Sequence, residues 1–195
     1  MSDNFFAYIS RMRYIERWAL MRNALPENIQ EHSHMVAVLA HALGVIRREV
    51  FGVDCDANEA AIVALFHDSS EILTGDLPTP IKYHSAAISQ AYREVEHIAN
   101  EQLLGTLPEE LRGAYAPVLD GEVHDRCYDL VKAADKLSAY LKCVEERKAG
   151  NHEFLSAERQ TLDWLHAQHM REIDYFLEHF APAFELDLDE LGSIQ

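Results

Sequence analysis

Apolar residues recur at steps of three and four along nearly the whole chain, and alternating β-branched runs are absent. That periodicity suits helices and leaves a sheet without an apolar face, so the expected fold class is all-α. A first helix is predicted from Phe6 through Ile9, Met12 and Arg13 to Glu16 and Arg17. A second begins near Glu31, where Met35, Leu39, Ala42 and Ile46 form one stripe and Val36, Ala40 and Leu43 another. Asp56 or Asn58 can cap a third, which is apolar nearly all round from Ala60 to Phe66. Ile88, Tyr92, Val95, Ala99 and Leu103 mark an amphipathic helix, and Pro108 opens a shorter one. Asp125 is the expected cap of a helix carrying Leu130, Ala133, Leu137, Leu141 and Val144. A last long helix is predicted from about Ser156 to Phe180. With no internal repeat or linker, the 195 residues read as a single helical domain over 1–195.

The formal net charge of −16 argues against a nucleic-acid polymer as partner, because such a partner needs a broad cationic surface. A small anion is still compatible, since one cation and one or two arginines reverse the sign locally. Cys55, Cys127 and Cys143 are odd in number and contain no CxxC pair, the pattern of reduced thiols in a cytoplasmic protein. The opening MSDNFFAYISRM lacks the features of a secretory leader, and the longest apolar run, AAIVALF at 60–66, is too short for a bilayer. No membrane association is expected.

Against this background, His32, His67, Asp68 and Asp135 stand out, in the order His…His-Asp…Asp. Two imidazoles and two carboxylates can hold a divalent metal while leaving positions open for water and substrate. The His-Asp dipeptide occurs twice, at 67–68 and 124–125, so alone it decides nothing. At 67–68 two polar groups follow directly on a fully apolar run, where an unpartnered charge costs several kcal/mol. Metal ligation satisfies both, as does a local ion pair or a helix-end hydrogen bond. On a continuing helix, Glu71 shares their face. His34 and His41 compete with His32 on the same helix, but His34 projects about 200° away from it. By spacing, Asp135 lies off the centre of its helix's apolar stripe and alone reads as a solvated aspartate. Arg17 can grip two phosphate oxygens, and the adjacent Trp18 offers a flat apolar wall. The loop LTGDLPTP should be stiff, presenting Asp76, Thr74 and Thr79 to ligand hydroxyls or to its own backbone.

The segments FFAYISRMRYIERWALMRN, ENIQEHSHMVA, HDSSEILTGDLPTPIKY, VKAADKLSAYLKCVEE and MREIDYFLEHFAPAF together resemble the HD-domain metal-dependent phosphohydrolases. Within them, they resemble the bacterial 5′-deoxynucleotidases, which cleave deoxyribonucleoside 5′-monophosphates to deoxyribonucleoside and phosphate. The resemblance implies a helical HD-domain fold and one divalent transition metal (Co, Mn, Cu, Zn, Fe or Ni) bound by His32, His67, Asp68 and Asp135. It implies that Glu71 assists catalysis and that Arg17 contacts the 5′-phosphate. It further implies that Trp18 crowds the sugar's 2′ position against ribonucleotides, that Asp76 reaches the sugar, and that the protein is a homodimer; Thr79 stays a candidate from the loop reading. His34 departs from the family pattern, where an apolar residue is expected. Two other functions are weighed: an HD phosphohydrolase acting on a nucleoside triphosphate or guanosine polyphosphate, and a non-catalytic metal-binding helical module.

Overall fold

The computed structural model describes residues 3–82, 84–119 and 128–192, without the side chain of Thr79. Among the described residues ten α-helices follow in order: α1 (Phe5–Ile9), α2 (Ile29–Val45), α3 (Ala57–Phe66), α4 (Glu71–Thr74), α5 (Thr79–Lys82), α6 (Ala86–Gly105), α7 (Glu109–Leu119), α8 (Tyr128–Lys148), α9 (Leu155–Ala167) and α10 (Arg171–His179). Among the described residues the only β pairing is an isolated antiparallel bridge between Glu16 and Asn28.

The core forms where the apolar stripes predicted for three helices meet. Val36, Leu39, Ala40 and Leu43 of α2 pack with Ala60, Val63 and Ala64 of α3 and with Leu130, Ala133, Leu137 and Leu141 of α8. At Gly44 α2 passes close to the start of α3: a Cβ there would lie 2.8 Å from that of Ala57. A smaller cluster joins Phe5 to Leu103, Leu107 and Leu119. Side-chain caps fix where the central helices begin. Asn28 accepts from the Glu31 N–H at 3.0 Å and starts α2 slightly before the expected Glu31. Of the two candidates for α3, Asp56 is the cap, accepting from the N–H groups of Asn58 and Glu59.

Three expectations about helices are corrected. The first helix does not reach Arg17; α1 tightens into a 3-10 turn at Ser10–Tyr14, and Ile15 is extended, which frees the chain for the Glu16–Asn28 bridge. The helix at His67 does not continue to Glu71. Bonds from Ser69 N to Phe66 O and from Glu71 N to Asp68 O mark tighter turns between α3 and α4. The long C-terminal helix is two, because His169 adopts a left-handed φ of 52° between α9 and α10. This corner lets Leu165 on one helix and Ile173 and Phe176 on the other all reach the core. The expected cap Asp125, the second His-Asp pair and Cys127 lie outside the described residues, while Cys55 and Cys143 are buried. No described helix is long and apolar enough to cross a membrane.

Candidate active site

His32 occupies the fourth position of α2 and is fully buried, whereas His34 and His41 on the same helix are exposed. His67 and Asp68 stand in the turn that ends α3, and Asp135 stands on α8. These three elements share one core, which brings residues from three separate stretches of chain together. His32 Nε2 lies 3.2 Å from Asp135 Oδ1 and 3.5 Å from Asp68 Oδ2, while His67 Nε2 lies 3.1 Å from Asp68 Oδ2. One ligand atom from each of His32, His67 and Asp135 falls within 4.8 Å of the other two.

Both Nε2 atoms are nevertheless buried without a hydrogen-bond partner. Their other nitrogens are engaged. His67 Nδ1 is 2.7 Å from the Ala64 carbonyl, which can only accept, so the ring hydrogen sits on Nδ1 and Nε2 offers a lone pair. His32 Nδ1 is 3.2 Å from Ser138 Oγ. Two orphaned imidazole nitrogens beside carboxylates are a donor set able to hold a metal ion, His32, His67 and Asp135 being the three whose ligand atoms meet.

The charges agree with this. Burial would raise the pKa of Asp68, but His67 and His32 outweigh it and hold the carboxyl well below its usual range. Burial is likewise overcome at Asp135 by Lys136, His32 and His67. Both carboxylates are therefore ionised. Burial, with Arg17 adding to it, keeps His32 below its ordinary value. At His67 burial is outweighed by Asp68 and Asp135, which raise it. Glu71 is pushed up to about 10, by burial first and then by the charges of Asp68 and Asp76. Its Oε2 is buried without a partner.

Arg17 and Trp18 stand on the irregular segment between Tyr14 and α2. Burial opposes the Arg17 charge, but Glu27, Asp135, Asp68 and Asp76 hold it firmly protonated. Its Nη2 is 3.9 Å from Asp135 Oδ1, so it borders the His/Asp cluster. Arg17, Trp18, Asp76, Lys136, Gln160 and Trp164 line a cavity of about 730 Å³, the size of a small-molecule site. Arg17 and Lys136 both approach Asp135 as well, so the cavity opens beside the cluster. Asp76 is half-buried in the loop after α4, where Gly75 takes a φ of 73°. The side chain of Thr79 lies outside the described residues.

Three contributors escaped the sequence reading. Lys136 donates to Asp135 Oδ2 at 3.1 Å, and its position beside that aspartate was the available signal. Ser138, one turn along α8, reaches His32. Glu27 bonds both Arg17 and Trp18, and no periodicity announces it.

The fold is that of the HD-domain phosphohydrolases. The chain matches the HD-domain phosphohydrolase of Listeria innocua with a TM-score of 0.81 at 22% identity, covering 97% of this chain and 92% of that one. A cyanophage S-2L HD phosphohydrolase, bound to dA and one catalytic Zn2+ ion, matches with a TM-score of 0.66 at 22% identity, covering 90% and 95%. Sequence narrows the class further. The model of the 5′-deoxynucleotidase YfbR-like family matches residues 4–184. The 5′-deoxynucleotidase YfbR of Shigella boydii is 50% identical over 191 residues, 97% of this chain and 96% of that protein. Its Escherichia coli counterpart is 49% identical over the same shares. The chain belongs to the YfbR-like 5′-deoxynucleotidase family.

Proposed function

We propose that this protein is a metal-dependent 5′-deoxynucleotidase that hydrolyses deoxyribonucleoside 5′-monophosphates and discriminates against ribonucleotides. The observation that carries the reading is the convergence of two orphaned imidazole nitrogens and two ionised carboxylates beside a cavity bordered by Arg17. His32, His67, Asp68 and Asp135 hold one divalent transition metal, with Zn, Mn, Co, Fe, Ni and Cu all compatible with mixed nitrogen and oxygen donors. When bound, such a cation would supply positive charge to the phosphoryl oxygens and lower the pKa of a bound water toward about 7.

The chain's own residues do the rest. Arg17 grips phosphoryl oxygens from the cavity side, and Lys136 adds a second cation beside Asp135. Two cations suit one phosphate better than three. Water adds to phosphorus as the bond from phosphorus to the 5′-oxygen breaks; Glu71, held protonated at neutral pH, gives its proton to that oxygen and regains one from the water. Trp18 walls the sugar at its 2′ position, while Asp76 and Thr79 address the sugar from the loop and turn that follow α4. The reading extends to one catalytic unit over 1–195 and, following the sequence resemblance, to a cytoplasmic homodimer.

Phosphate release from deoxy- and ribonucleoside monophosphates, measured on protein stripped of metal and reloaded with each divalent ion in turn, tests the reading. Release from deoxynucleotides with at least one metal is expected, and none from any of them overturns it. Trp18→Ala should admit ribonucleotides, and unchanged discrimination removes Trp18 as the sugar gate.

A further inference from the structure

Arg17 and Trp18 share a single acceptor. Oε2 of Glu27 receives Arg17 Nη1 at 2.9 Å and Trp18 Nε1 at 3.1 Å. The Arg17 and Glu27 side chains are only 14% and 15% exposed, so water competes weakly for the contact. The backbone closes the same junction, since the Arg17 N–H donates to the Glu27 carbonyl at 3.0 Å and the Glu16–Asn28 bridge flanks it.

Trp18 needs such a restraint. Its φ of 59° is in the left-handed region that bulky side chains rarely adopt, and it persists only where the surroundings over-determine it. The indole leans on the buried ring of Phe154, with centroids 5.3 Å apart, but that contact has no direction fixed by a hydrogen bond. Arg17 needs one too. Its Nη2 already lies 3.9 Å from Asp135 Oδ1, and without Glu27 the nearest full negative charge is a carboxylate of the His/Asp cluster.

The geometry points to Glu27 as the positioning residue that sets, through one carboxylate oxygen, both the phosphate grip of Arg17 and the sugar discrimination of Trp18. The inference rests on the roles proposed for those two residues. It adds that grip and discrimination are coupled and fail together when Glu27 is removed.

The test compares Glu27→Ala, Glu27→Gln, Arg17→Ala and Trp18→Ala. For each, kcat/KM is measured on a deoxyribonucleoside monophosphate and its ribose counterpart, and binding of both to metal-stripped protein is measured by calorimetry. Glu27→Ala should lower deoxynucleotide kcat/KM about tenfold and also shrink the deoxy-to-ribo ratio about tenfold, in kinetics and in binding. Glu27→Gln keeps an amide oxygen for both N–H groups, so it should hold the ratio and lose only a few-fold in kcat/KM. A merely structural role would lower both sugars equally. If Glu27→Ala leaves the ratio unchanged while Trp18→Ala collapses it, Glu27 is not the coupling residue and the gate stands. If Trp18→Ala itself leaves the ratio unchanged, the gate fails and the coupling with it. Should Glu27→Ala not fold, Glu27→Met decides: a deoxy-to-ribo ratio that shrinks together with kcat/KM supports the coupling, and an unchanged ratio overturns it.

Discussion

The inner and outer walls of the site are held by different forces. His32, His67, Asp68 and Asp135 are carried by α2, the end of α3 and α8, which meet in one apolar core. Arg17, Trp18 and Asp76 stand on segments outside regular helices, and the Arg17 segment is tied down by polar contacts. Glu146, fully buried on α8, accepts from the N–H groups of Ala24 and Leu25 at 2.8 and 2.9 Å and from Asn151 Nδ2 at 2.7 Å. Lys142 Nζ bridges Glu146 and the Leu25 carbonyl. Apolar burial is indifferent to pH, whereas a carboxylate anchor must stay ionised. The inner wall should therefore survive conditions that release the outer one.

The largest effect should come from breaking the inner wall chemically while leaving its packing alone. Asp135→Ala removes a candidate ligand from a residue beside, not within, the apolar stripe of α8. Metal content, read by elemental analysis, should fall well below one per chain, and phosphate release should drop about a thousandfold or more. The thermal midpoint of the metal-free protein should change little. Full metal occupancy in this variant would separate Asp135 from the metal.

Next is the outer anchor. Glu146→Ala leaves the Lys142 ammonium buried without its partner, which typically costs about 3–5 kcal/mol in denaturant unfolding. Deoxynucleotide KM should rise as the Arg17 segment loosens, with metal occupancy retained; the opposite pattern would mean the two walls are one unit. The pH dependence has a definite sign. Burial raises the Glu146 pKa, but Lys142 and the N–H groups of Leu25 and Ala24 overcome it and bring it to about 2 from an ordinary 4.5. A depressed carboxylate adds stability above its unfolded value that is lost as pH falls through the folded one. The anchor's contribution is thus complete above about pH 4.5 and fades toward pH 2, and Glu146→Ala should lose this part of the acid dependence.

The same division governs what could be read from sequence. The helices that carry the inner wall show themselves by spacing, since Val36, Ala40 and Leu43 must face a core whatever their partners are. Asp56 shows itself as a cap because its side chain bonds within its own turn. Helical angle shows that His32 and His34 face apart, but the choice between them comes from the family resemblance. The outer wall follows no period. Trp18 sits at positive φ, and its acceptor Glu27 is nine residues away in an irregular segment, so no local rule connects them. The long C-terminal helix misread for a related reason. Its break at His169 exists because Leu165 and Ile173 must both reach α2 and α8, a tertiary demand that His166-Ala167-Gln168-His169 does not reveal.

Ser138→Ala sharpens the contrast with the smallest expected effect. Ser138 Oγ sits 3.2 Å from His32 Nδ1, both residues being buried, so it fixes the ring that presents Nε2 to the cluster. Removing the hydroxyl leaves the apolar packing of α2 on α8 in place and frees only the imidazole's orientation. Partners of this kind typically contribute about 10–100-fold in metal affinity. A metal titration should therefore show weaker binding of that order, while phosphate release at saturating metal stays near wild type. Unchanged affinity would mean that helix packing alone orients His32, and the inner wall would then owe nothing to polar contacts.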